Sequence, residues 1–274
     1  MKKRVLFVSQ EINPFLPETE ISRTSRSLPQ LTQDSGKEIR IFMPRYGIVN
    51  ERRHQLHEVI RLSGMNLVVD DHDHPLIIKV ASIPQARMQV YFIDNDEYFR
   101  RKSFLKDSKG KLHADSDERA IFFAKGVLET VKKLGWKPDI IHCHGWMASL
   151  LPLYLKKLHA DDPHFSDSKV VVSIYNQGFK GSLNKKLTSK LVFDGIESSD
   201  VDVVSNPEYS NLMCLAAKNA DGIVTIGPEF DADLTQCIAD SNVPVLENPG
   251  DGDVAAAYNS FYDKLLEQSS VTTS

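Results

Sequence analysis

The chain is poor in cysteine, with three among 274 residues. Cys143, Cys214 and Cys237 are odd in number and widely spaced, which argues against a disulfide framework or a cysteine-based zinc site and reads as reduced packing thiols. An excess of positive charge is lacking too. The 33 Lys+Arg against 37 Asp+Glu leave a formal net charge of -4, with no basic footprint for nucleic acid or an anionic membrane. Long apolar runs are missing: the longest, such as 170–174, are strand-sized and far short of the ~20 residues of a membrane span. Lys2, Lys3 and Arg4 precede an apolar segment, but Glu11 and Asn13 interrupt it and no small-residue cleavage site follows. A secretory signal is therefore not expected, and the chain reads as cytoplasmic. One absence is local. Residues 9–29, SQEINPFLPETEISRTSRSLP, follow an apolar strand yet contain no glycine, where an α/β protein ordinarily builds a glycine-rich phosphate loop.

What is present is an ordinary globular composition, 41% hydrophobic and 26% charged, in a chain long enough to bury a substantial core. Short apolar runs alternate with longer amphipathic ones, the pattern of a parallel sheet wrapped by helices. Strands are expected at 4–9, 38–43, 89–93, 139–142, 169–174 and 222–226, each rich in β-branched residues and buried on both faces. Helices are expected at 116–134, with Ile121, Ala124, Leu128 and Val131 on one stripe, and at 147–158, with Leu150, Leu151, Tyr154 and Leu158. Residues 58–82 read as a hairpin around DDHDHP, itself a solvated turn. The Lys-rich stretch 179–190 reads as an exposed face. Residues 1–247 form the expected α/β domain and 248–252 a linker. A separate amphipathic helix is expected at 253–268, with Ala257, Tyr258, Phe261, Leu265 and Leu266 on one apolar face, and a disordered tail at 269–274.

The segments VLFVSQEINPF, RIFMPRYG, DERAIFFAKGVLE, KPDIIHCHGWMASLLPLYL and IYNQGFKGSL, followed by LAAKNADGIVTIGPEFDADL, are in an order that resembles the N-terminal half of bacterial glycogen synthases and plant starch synthases. These are family 5 glucosyltransferases that move glucose from ADP-glucose onto an α-1,4-glucan. The resemblance implies a doubly wound, mostly parallel sheet, the first of two Rossmann-like domains facing across a cleft. A second domain needs roughly 200 residues, and only 40 follow Leu234. The expectation is that it is absent, and that the terminal helix is the family's strap, which crosses back onto the first domain.

The resemblance fails where the family does chemistry. Its Lys-Thr-Gly-Gly loop lets backbone N–H groups and a lysine approach the donor diphosphate. Here Pro17 falls on the lysine, Glu18 on the threonine, and Thr19 and Glu20 on the glycines. Proline has no N–H, and each carboxylate repels a diphosphate by an amount of order 1 kcal/mol even when solvated. The loop reads instead as a solvated turn opening a helix whose N-terminus Glu18 and Glu20 favour. In HCHGWMASL, Met147 replaces the family histidine that hydrogen-bonds the transferred sugar, and Gly145 replaces an aspartate. Methionine donates no hydrogen bond, a loss worth several kcal/mol of barrier. Tyr175 stands where the family has another histidine, while Asn176 and Gly181 are kept.

Glu11, His142, His144, Trp146 and Asn176 remain as a residual cleft at strand C-terminal ends, where open α/β sheets place ligands. His142 and His144 share a face, but no third ligand at regular spacing supports a metal, and no cofactor is expected. No catalytic residue is expected either. The favoured reading is a catalytically degenerate relative of glycogen synthase that binds an α-glucan or a full-length synthase, as a regulator or scaffold. The alternatives are an active ADP-glucose-dependent glucosyltransferase, alone or completed by a separate second-domain chain, and a Rossmann-like domain with a new small ligand. A homodimer through the cleft face is also expected, on the premise that Trp146 and Met147 lie exposed there.

Overall fold

The structure is a computed structural model, and it describes residues 2–249 and 253–271. Ten strands follow the apolar runs: β1 (Arg4–Ser9), β2 (Glu38–Pro44), β3 (His57–Glu58), β4 (Met65–Val69), β5 (His72–Ile83), β6 (Met88–Asp94), β7 (Ile140–His144), β8 (Lys169–Tyr175), β9 (Gly222–Ile226) and β10 (Val245–Glu247). The first helices are α1 (Glu20–Asp34), α2 (Glu51–His54), α3 (Asp96–Phe99), α4 (Ser116–Lys133) and α5 (Leu151–Leu158). The rest are α6 (Leu187–Phe193), α7 (Ser198–Val201), α8 (Tyr209–Lys218), α9 (Ala232–Asp240) and α10 (Val254–Val271).

The strands form one sheet in the order β10-β9-β8-β7-β1-β2-β6-β5-β3, with β4 paired to β5. From β10 to β6 every pairing is parallel; β5 joins antiparallel and carries β3 and β4. The strand order reverses at β1, whose neighbours are β2 and β7, so the crevice between the loops after β1 and β7 is the switch point of the sheet. Buried runs such as Val5–Leu6–Phe7–Val8 and Val170–Val171–Val172 place the core on both faces of the sheet.

Several boundaries differ from the sequence reading. β7 runs on to His144, so His142 sits inside the strand and not at its end. The helix expected from Met147 begins as a 3₁₀ turn, Trp146–Ala148, before α5 starts with Pro152 in its first turn. DDHDHP is only partly a turn: Asp70, with positive φ, and Asp71 make the turn, and the stretch from His72 on pairs as β5. There His74 is buried with its Nε2 2.9 Å from Tyr98 Oη. Lys190, read as part of an exposed face, is buried between Asp117 and Glu118 at 2.7 and 2.6 Å. The thiol reading is corrected for two cysteines. Cys214 of α8 and Cys237 of α9 are joined in a disulfide across two packed helices, with Cα atoms 5.8 Å apart, while Cys143 is free and buried.

α10 lies on the sheet and beside α1. Tyr258, Phe261, Tyr262 and Leu265 are buried, at the i, i+3, i+4, i+7 spacing of one helical face. Gly222 is the contact point: a Cβ there would fall 2.8 Å from Leu265 Cδ1 and 2.9 Å from Phe261 Cζ. Toward α1, Lys37 Nζ donates to Asn259 Oδ1 at 2.8 Å and lies 3.4 Å from Asp263. The helix runs to Val271, past the expected end at 268; residues 250–252 of the expected linker and 272–274 of the expected tail lie outside the described residues. No helix among the described residues is long and apolar enough to cross a membrane.

Candidate functional site

Four of the five residual-cleft residues lie at or just after the carboxyl ends of β1, β7 and β8, while His142 lies inside β7. Each is placed by its strand: Glu11 two residues after β1, His144 and Trp146 at the end of β7, Asn176 directly after β8. Register sets Ser9 opposite His144, and His144 opposite Ser173. What differs from expectation is how few of them face solvent. Glu11, His142, His144 and Trp146 are buried, and only Asn176 is exposed.

The loop after β1 is held by its own polar groups. Thr19 is the N-cap of α1, its hydroxyl accepting from Ser22 N at 3.0 Å while Thr19 N donates to Ser22 Oγ at 2.8 Å, a capping box. The same Thr19 hydroxyl donates to Glu11 Oε1. Burial raises the Glu11 pKa, against the lowering effect of hydrogen bonds from Thr19 and Gln10. Glu18 points outward, 3.5 Å from Arg23, and Pro17 is exposed, its carbonyl accepting from Ser22 Oγ at 3.0 Å. Glu20 opens the first turn of α1. Where the family pattern would open a cradle of N–H groups, this chain builds a capped helix start.

At the switch point the two loops are in contact. Gln10 N donates to His144 O at 2.9 Å, and Met147 N donates to Gln10 Oε1 at 3.3 Å, so the Gln10 side chain bridges the crevice. Gly145 has φ +81°, and a Cβ at that position would lie 2.8 Å from Gln10 Cβ. An aspartate therefore does not fit the backbone as it stands. Met147 is 0% and Trp146 2% exposed, Trp146 meeting Phe179 edge-on at 5.1 Å. This overturns the premise that these two side chains are laid bare on the cleft face.

The two histidines belong to a buried polar column under α10. Their rings are 4.0 Å apart. His142 Nδ1 lies 2.7 Å from Tyr262 Oη and its Nε2 2.8 Å from Ser173 Oγ, while His144 Nδ1 lies 2.8 Å from Tyr175 Oη. Both nitrogens of His142 are thus spent on the chain's own hydroxyls, and His144 Nε2 is buried without a partner among the described residues. Burial pulls the His144 pKa down to about 3, and burial together with the neighbouring His144 holds His142 well below the usual imidazole range. At neutral pH both rings are uncharged, so the column orders α10 and offers no acid to a substrate. Sequence reasoning missed Tyr262 and Gln10. The i+4 step from Tyr258 marked the first; nothing but its place after β1 marked the second.

The comparisons agree with this geometry at the level of family and fold. The starch synthase catalytic domain family model matches residues 4–238. Glycogen synthase of Chlorobium limicola is 39% identical over 224 residues, covering 81% of this chain and 45% of that synthase. That of Chlorobium phaeobacteroides is 35% identical over 254 residues, covering 84% of the chain and 51% of the synthase. Among solved structures, the catalytic domain of starch synthase IV from Arabidopsis thaliana, bound to ADP and acarbose, superposes with a TM-score of 0.74. At 18% identity, over 90% of this chain and 51% of that one, it shows a shared fold. The chain spans about half the length of the curated relatives it matches. With the family model covering most of its length, the chain belongs to the starch synthase catalytic domain family of glycosyltransferases, as a counterpart of its N-terminal half.

Proposed function

We propose that the chain is a catalytically degenerate, glycogen-synthase-like protein of the cytoplasm, which takes part in glycogen metabolism by binding an α-glucan or a full-length synthase. The observation that carries this reading is the Gln10 bridge at the switch point, with Met147 buried on one side of it and the Glu11–Thr19 cap on the other. A donor nucleotide would have to displace these contacts and then meet Glu18 and Glu20 where the family offers glycine N–H groups and a lysine.

Asn176 favours a second reading, in which the chain transfers glucose once a separate second-domain chain completes the cleft. It is exposed at the end of β8, on the rim such a partner would face. Isothermal titration with maltoheptaose, run with and without a full-length synthase, tests the first reading. Heat from maltoheptaose, or from the synthase, supports it; no binding to either removes it.

A further inference from the structure

We propose a binding site for a phosphorylated small molecule at the opposite end of the sheet, in a groove beneath the amino ends of β2 and β6. The groove holds about 570 Å³ and is lined by Lys2, Lys37, Arg40 and Arg87, with Glu38 as its one acid among the lining residues. The cations differ in how far they are already engaged. Lys37 is tied to Asn259 and Asp263 of α10. Arg40 is fixed in place: its Nη1 donates to Tyr91 Oη at 2.6 Å, and its guanidinium carbon sits 5.7 Å from the Tyr91 ring centre and 5.2 Å from that of Trp136. Lys2 and Arg87 are exposed and have no ion-pair partner among the described residues.

Glu38 does not cancel this charge. Its carboxylate accepts from Trp136 Nε1 at 2.6 Å and lies 3.4 Å from Arg4 Nε, so it is already engaged by groups outside the groove lining. What remains is a concave surface with one pre-oriented guanidinium, one free guanidinium and one free ammonium, the set that recognises a phosphoryl group. The volume lies in the range of small-molecule sites and is far more than inorganic phosphate fills. Gln33 and Gln89 also line it, with amides suited to hydroxyl groups. The geometry therefore points to a phosphate ester of a polar body, of the class of sugar phosphates.

The test is isothermal titration of the chain with glucose 1-phosphate and with inorganic phosphate, at constant ionic strength set by chloride. The sugar phosphate is expected to bind more tightly than inorganic phosphate and to lose about tenfold or more in affinity in Arg87→Gln, an exposed position whose change leaves the fold intact. Lys137→Gln, in a neighbouring basic cleft outside this groove, is the control and is expected to leave affinity unchanged. Absence of binding overturns the proposal. So does equal affinity for inorganic phosphate, or an equal loss in Lys137→Gln, which would reduce the effect to diffuse charge.

Discussion

At the carboxyl ends of β1, β7 and β8 the polar side chains are turned on one another, Glu11 with Thr19, Gln10 with Met147 N and His144 with Tyr175. At the amino ends of β2 and β6, Lys2 and Arg87 face a groove unpaired. The fold alone predicts the reverse, because open α/β sheets receive ligands at the carboxyl end. The difference teaches that topology names the place for a ligand, while the supply of unspent donors and charges decides whether the place can still be used. The polar groups already paired in this crevice must lose those bonds before they can gain new ones.

The comparison can be broken most forcefully at the column beneath α10. Tyr262→Ala removes a fully buried ring and strips His142 Nδ1 of its partner. A loss of about 3–5 kcal/mol in unfolding free energy is expected by denaturant titration. A loss below ~1 kcal/mol would mean that α10 is not part of the folded unit.

Acid sharpens the same point. In the unfolded chain both imidazoles take up protons below pH about 6.5, whereas in the folded chain His144 stays neutral down to about 3. The unfolded state therefore binds more protons throughout this window, and stability falls as pH drops through it while staying unaffected above it. A His142→Gln, His144→Gln double variant should show a shallower loss than the parent between pH 6.5 and 4, followed by thermal midpoint.

Smaller effects probe the crevice itself. Gly145→Asp, paired with Met147→His to restore the family pattern, should cost about 1–3 kcal/mol because the backbone at φ +81° tolerates glycine and a Cβ meets Gln10. It should also fail to restore transfer, as judged with labelled ADP-glucose. Thr19→Ala removes an N-cap at about 1 kcal/mol, and should raise the Glu11 pKa further, a shift readable by carboxyl NMR titration. Glu18→Ala, on an exposed side chain, should move stability by less than about 0.5 kcal/mol.

Much of this was legible before any coordinates. The six expected strands fall within a residue or two of β1, β2, β6, β7, β8 and β9, because each is a β-branched run buried on both faces and nothing competes with that signal. The helix start after this loop was legible from its lack of glycine and its carboxylates, and the structure opens α1 at Glu20 with Thr19 as its cap. Contacts between distant segments were not. The Cys214–Cys237 bridge depends on α8 packing against α9, and spacing along the chain carries no trace of it. Lys190 was misread for the same reason, its two carboxylate partners lying 72 and 73 residues away. Met147 was read as exposed, and it is fully buried. Its backbone N–H is met by Gln10, which reaches across from the loop after β1.

The central claim is that the chain's own side chains have closed the donor crevice. Titrating the purified chain with ADP-glucose and ADP, with glucose transfer onto glycogen assayed in the same sample, tests it most directly. The account predicts no nucleotide binding and no transfer. Transfer that disappears in Asn176→Ala would contradict it and would show that the Gln10 bridge opens in solution.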